Sequence, residues 1–127
     1  MGLKAVVCKR FTFDAAHQLP NHSGKCKHLH GHTYQVEVYL FGEVNNTPGA
    51  SDEGMVVDFG VVKDVFKRRV ESVCDHQNLN KVLPFRTTAE NIARWILEEM
   101  RKELPQVIKV RVYETPTSFV EVFEHHI

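Results

Sequence analysis

Residues 24–38 read GKCKHLHGHTYQVEV, which puts one cysteine and three histidines within seven positions ahead of an alternating apolar run. Thiols and imidazoles at such density can bind a metal, move protons or attack an electrophile. His30 and His32 are two apart on a predicted strand, so both side chains leave the same face about 7 Å apart. That separation lets two imidazoles converge on one ion, because Zn–N bonds are about 2.0–2.1 Å. Gly31 between them bears no side chain and lets another segment approach. A third ligand must come from elsewhere, and His17 is the natural candidate because it ends the preceding strand. If the two strands form an antiparallel pair, His17 sits beside His30 and His32 across the connecting loop. Three histidines with no fourth protein ligand is the pattern of a catalytic zinc, with a position left for water or substrate.

Cys26 lies four residues before His30. It is either a fourth ligand, which would close the site, or a free thiolate favoured by Lys25, Lys27 and the metal; spacing leaves both open. His22 and His28, in the loop NHSGKCKH, are rival ligands. A second polar cluster, CDHQNLN, sets Asp75 beside His76, a pair suited to proton transfer. The alternative is a helix end, where the dipole favours a cationic histidine and Asp75 and Asn78 suit a turn. Glu114 shares strand parity with Val110 and Val112, so a carboxylate stands on an otherwise apolar face. Burying it without partners is costly, and it can accept hydrogen bonds from the amino and ring N–H groups of a heterocycle.

The elements that must hold these groups can be read from period and punctuation. AVVCKRFTFDAAH predicts a first strand with Phe11, Phe13, Ala15 and His17 on one face, and GHTYQVEVYLFGEV a second with His30, His32, Tyr34, Val36, Val38 and Leu40 together. NNTPGASDEG, residues 45–54, is a loop, and MVVD a short strand segment. Asp58 caps a helix over FGVVKDVFKRRVESV with a stripe of Val62, Val65, Phe66, Val70 and Val73. Thr87 and Glu90 form a capping box for a second helix that runs to Leu104 and stops at Pro105. Strands IKVRVYET and SFVEVFEH follow, joined by TPTS. The order ββααββ predicts an α+β fold, a four-stranded antiparallel sheet with two helices on one face. Its open edges invite pairing between subunits.

The chain has 127 residues, which favours a single domain over 1–127. Lysine plus arginine and aspartate plus glutamate both number 16, so no net charge marks a nucleic-acid or membrane surface. No stretch is long enough to span a bilayer and no signal-peptide core opens the chain. The cysteines, Cys8, Cys26 and Cys74, are odd in number and scattered, which reads as reduced thiols in a cytoplasmic protein.

FTFDAAHQL, CKHLHGHTYQVEV, GMVVDFGVVK, CDHQNLN, TTAENIA and KVRVYET, in this order and spanning nearly the whole chain, resemble the 6-pyruvoyltetrahydropterin synthase / 6-carboxytetrahydropterin synthase family. The resemblance implies a tunnelling fold (T-fold), in which subunits join their sheets into a barrel, as a hexamer built from two trimers. It also implies zinc on His17, His30 and His32, with Cys26 held off the metal as catalytic base. Asp75 and His76 match the pair that works with that cysteine, reaching it from a neighbouring subunit. Glu114 matches the carboxylate that anchors the pterin, and Thr88 and Glu90 fall where the family places further pterin contacts. The implied substrate is a pterin triphosphate, 7,8-dihydroneopterin triphosphate. The interval Cys-x-x-x-His-Gly-His looks like the carboxy-forming enzymes of queuosine (7-deazaguanine) biosynthesis. The pyruvoyl-forming activity and a non-catalytic zinc- or pterin-binding role are the alternatives. Cys74 and the long loop at 45–54 depart from the family pattern without touching a proposed catalytic group.

Overall fold

The computed structural model describes residues 2–124. The predicted strand end at His125 and the EHHI terminus lie in part outside these. Two long strands, β1 (Lys4–His17) and β2 (His30–Glu43), pair antiparallel along their full length, with Lys4 opposite Glu43 and His17 opposite His30. β4 (Val107–Thr115) lies on the other side of β2, and β5 (Ser118–Phe123) pairs with β4. The sheet has five strands rather than four, in the order β3-β1-β2-β4-β5. The added strand β3 is only Gln77–Asn78, and it pairs parallel with Ala15 and Ala16 of β1. Two residues carry no alternation, so no pattern announced it. The architecture is otherwise the α+β arrangement that the residue order implies.

Alternation decides which face is buried. Phe13, Ala15, Tyr34, Val36, Val38, Leu40, Val110 and Val112 point into one core under the helices. Each large side chain removed from water there contributes about 1.5–3 kcal/mol. The opposite face is polar and ion-paired. Glu37, 4% exposed, lies 2.6 Å from Arg10 and 3.4 Å from Arg111, and Arg111 lies 2.6 Å from Glu121.

The first helical run starts at Asp58, whose carboxylate accepts from the Gly60 N–H. It comprises α1 (Phe59–Phe66), one wide π turn (Lys67–Glu71) and α2 (Ser72–Cys74). Val62, Val65, Phe66 and Val70 are buried as the period predicts, Val73 packs half-buried against the same core, and Cys74 is buried beside it. The stretch at 55–58 is bent chain rather than a strand. A further short helix, α3 (Leu79–Val82), is capped by Asn78.

α4 (Ala89–Arg101) buries Ile92, Ala93, Ile96, Leu97 and Met100, but it is capped by Thr88 rather than Thr87: the Thr88 hydroxyl accepts from Asn91 N–H at 3.2 Å. Either threonine of the pair has the chemistry of a cap; Thr87 is fully buried and occupied elsewhere.

Candidate metal centre and its surroundings

The pairing of β1 with β2 places His17 opposite His30 and Ala15 opposite His32. The three imidazoles lie on the core face of the sheet, with His17 fully buried. One nitrogen from each ring falls within 4.8 Å of the others, and ring centroids stand 4.6–5.2 Å apart. His17 is 1% exposed and His32 17%. Burial pushes the pKa of His17 down to about 4; the hydrogen bond at Thr87 opposes this and the neighbouring histidines add to it. His32 moves in the same direction, first from burial and then from His30. Neutral imidazoles are the protonation state that ligates metal.

Backbone carbonyls set the tautomers. His17 Nδ1 lies 2.8 Å from the Thr87 carbonyl oxygen and 3.2 Å from its hydroxyl. His30 Nδ1 lies 2.7 Å from the His28 carbonyl oxygen. A carbonyl only accepts, so each ring carries its proton on Nδ1 and presents a bare Nε2. His17 Nε2 is buried and has no hydrogen-bond partner. An orphaned buried acceptor beside two more imidazole nitrogens suits a zinc-type cation, and the outward hydrogen bonds are those that orient metal-bound histidines. His22 and His28 stand outside this cluster. His22 Nδ1 accepts from Gly24 N–H, and His28 contributes only its carbonyl.

Cys26 sits on the single turn Lys25–Lys27, and its carbonyl accepts from Leu19 N–H at 2.7 Å. That bond folds the loop back on the end of β1. Asn80 secures the same end: its side-chain oxygen accepts from Gln18 N–H and its amide donates to Gln18 carbonyl. Half-buried Cys26 thereby lines a cavity of about 490 Å³ with His17, His30, His32, Lys25 and Glu114. It does not join the cluster of nitrogens.

Glu114 faces this cavity because it shares the core-facing parity of Val110 and Val112 on β4. Tyr113 pairs with Phe119 and Thr115 with Ser118, so Glu114 is also an extra residue against β5. Its carboxylate oxygen lies 3.4 Å from His17 Nε2 and 4.0 Å from His32 Nε2. Burial raises its pKa, with His30 opposing and Glu90 reinforcing. His17 is thus driven towards its neutral form, and Glu114 is too, so their contact is no ordinary ion pair. Thr88 caps α4 and exposed Glu90 occupies its first turn, near enough for its charge to act on Glu114.

Asp75 and His76 do pair, although they are adjacent. His76 takes a left-handed backbone, φ 59°, which turns its Nδ1 to 2.9 Å from the Asp75 carboxylate. Asp75 also accepts from Asp14 N–H, the first cause of its lowered pKa, and His76 N–H donates to the Asp14 carbonyl. Thr33 donates to the Asp14 carboxylate at 2.5 Å. His76, but not Asp75, lines a second, open cavity with Asp14, Gly31, Thr33 and Gln77; this cavity shares His32 with the first and excludes Cys26. Within one chain the structure therefore does not bring His76 to the thiol. Two functional contributors escaped the sequence: Thr87, which orients His17, and Asn80, which clamps the residue after it. Their signal was only a polar residue beside a predicted element end.

An α+β sheet whose two long strands converge three imidazoles, a thiol and a bulge-borne carboxylate on one cavity defines a T-fold with a candidate metal-assisted site. Residues 6–125 match the family model described as 6-pyruvoyl tetrahydropterin synthase, and the chain belongs to that family. Proteins named 6-carboxy-5,6,7,8-tetrahydropterin synthase resemble it closely. The one from Haemophilus influenzae is 36% identical, covering 93% of this chain and 98% of its own length. The one from Synechocystis is 41% identical, covering 93% and 92%. A dihydroneopterin monophosphate aldolase from Pyrococcus furiosus is 40% identical over 86% of each. The solved 6-pyruvoyl tetrahydropterin synthase of Caenorhabditis elegans superposes with a TM-score of 0.85 at 28% identity, covering 98% of both chains. Among the described residues no helix is long and apolar enough to cross a membrane.

Proposed function

We propose that this protein is a zinc-dependent 6-carboxy-5,6,7,8-tetrahydropterin synthase acting in the cytoplasm in queuosine biosynthesis. It converts 7,8-dihydroneopterin triphosphate and water to 6-carboxytetrahydropterin, acetaldehyde and triphosphate. The observation that carries the reading is the single cavity in which bare His nitrogens, a thiol and a carboxylate face one another. Kinship with two carboxy-forming synthases supports the product.

His17, His30 and His32 would hold the zinc, which supplies Lewis acidity to hydroxyls of the substrate side chain. Glu114 accepts hydrogen bonds from the pterin, and Thr88 and Glu90 supply further contacts to it. Cys26 takes the proton from the side-chain carbon, and Lys25 beside it offers positive charge towards the triphosphate as it leaves. His76 returns protons, with Asp75 holding its ring. Because His76 faces a cavity without Cys26 in its own chain, a neighbouring subunit supplies the pair. The sheet edges support such assembly. β3 covers only the end of β1, and β5 is an outer strand with Phe119 and Phe123 exposed. Open edges of this length are completed by strand pairing with other copies, here as a hexamer.

Incubating the zinc-loaded protein with 7,8-dihydroneopterin triphosphate and mass-analysing the products tests this. Acetaldehyde with 6-carboxytetrahydropterin is the expected result. A 6-pyruvoyl product without acetaldehyde would assign the pyruvoyl-forming activity instead. Turnover of dihydroneopterin monophosphate but not the triphosphate would favour the activity named for the Pyrococcus relative. No turnover of either, with pterin or zinc bound, would leave a non-catalytic binding role.

A further inference from the structure

We propose that Glu114 is itself a metal ligand in the substrate-free protein and that a pterin entering the cavity takes it off the metal. The second half rests on the pterin reading above; the first does not. His17 Nε2 carries a lone pair, because its Nδ1 proton is committed to the Thr87 carbonyl. The atom it faces, 3.4 Å away, is a carboxylate oxygen of Glu114, which is also an acceptor. Two acceptors aimed at one another inside a cavity are stabilised only by a proton or a cation between them. The spacing favours the cation. At 3.4 Å it is longer than a usual N–H···O hydrogen bond. With Zn–N and Zn–O bonds of about 2.0–2.1 Å, neighbouring ligands of a tetrahedral zinc stand roughly 3.3 Å apart. The second separation, 4.0 Å to His32 Nε2, is somewhat wider than that edge.

Two further observations bear on the carboxylate. Strand parity with Val110 and Val112 turns Glu114 into the cavity that holds the three histidines, beside a register irregularity of β4 against β5. Among the described residues, its only basic partners within 4.0 Å are His17 and His32, both ligand candidates. His17 offers it no N–H. A carboxylate with no other cation within 4.0 Å binds the metal when the cavity is otherwise empty. A ring presenting an amino group and an N–H competes for the same oxygens, and its arrival frees a coordination position for the substrate's hydroxyls. Metal and pterin therefore share one side chain in alternation.

The test needs no turnover. Full-length protein is stripped and titrated with Zn²⁺ against a chromophoric chelator, without pterin, for the wild type, Glu114→Gln and Glu114→Asp, each checked for native circular dichroism. Loss of a ligand weakens zinc binding about 10–100-fold, the range seen when residues supporting a metal are removed. Glu114→Asp, which keeps the carboxylate, should fall between the wild type and Glu114→Gln. In a Co²⁺-loaded sample, neopterin, which has no triphosphate to lose, should change the visible absorption of the wild type and leave that of Glu114→Gln unaltered. Zinc affinity in Glu114→Gln within twofold of wild type would overturn the proposal. So would a wild-type cobalt spectrum that saturating neopterin does not move. If products form as proposed and zinc affinity ignores Glu114, only this inference falls. If zinc affinity depends on Glu114 but no pterin is turned over, the functional reading falls and the ligand assignment stands.

Discussion

Metal-free protein should lose stability steeply between pH 6.5 and 4 because of His17. The ring is 1% exposed and its pKa is held at about 4, against 6.5 for a free histidine. A depressed value means the folded state resists a proton that the unfolded chain accepts. The contribution is present in full above pH 6.5 and is lost progressively as pH falls towards and through 4. At 1.36 kcal/mol per pH unit the gap corresponds to about 3 kcal/mol, of which about 2.5 is gone by pH 4.5. That is a large share of the 5–15 kcal/mol typical of a domain. The comparison variant is His17→Gln, which retains an N–H for the Thr87 carbonyl but does not titrate. Urea denaturation of both proteins in chelator, at one fixed protomer concentration and at pH 7.5, 6.0, 5.0 and 4.5, cancels the carboxylates common to both. Wild type should lose about 2–3 kcal/mol more than the variant across that range. Equal losses, or a titration midpoint near 6.5 for His17 in the folded protein by NMR, would refute the burial argument and with it the neutral-ligand reading of the site.

Cys26→Ala should abolish turnover while zinc affinity, read by chelator competition, stays at the wild-type value; zinc loss would make Cys26 a ligand. Asp75→Asn should lower kcat about 100-fold at unchanged KM and unchanged zinc content, since it releases the ring it holds at 2.9 Å without touching the metal; a KM effect alone would remove the pair from proton transfer. Tyr34→Phe should raise the thermal midpoint of the metal-free protein by about 4 °C. Its hydroxyl is fully buried without a partner, a cost of about 1 kcal/mol or more. A lower midpoint would mean that the hydroxyl is bonded in solution.

What the residues disclosed and what they withheld divide along a physical line. Strand pairing was legible because period two is summed over many residues: fourteen positions of β1 and fourteen of β2 agree on one buried face. That agreement alone brings His17 to His30 and His32. The identities of the thiol, the adjacent Asp75 and His76, and the off-pattern carboxylate were visible for the same reason, as exceptions to a strong background. The devices that aim them were not, because each is a single-residue event with no period. The register shift at Glu114 is one extra residue against β5, the π turn interrupts the helix over Lys67–Glu71, and the left-handed backbone at His76 is uncommon for a residue other than glycine. Thr87 and Thr88 are chemically equal candidates for a cap, and only the arrival of His17, seventy positions earlier in the chain, separates them. Each of these departures costs local regularity, and the one at His76 sets the direction of a side chain assigned to the chemistry. Regular alternation thus accounts for the side chains that face the histidine cavity, and local irregularity for the aim of His76 outside it. Backbone strain at His76 is the clearest instance: it is tolerated because Asp14 and Asp75 hold both the main chain and the ring. A histidine kept solely for packing would not be held 78% exposed by that many bonds.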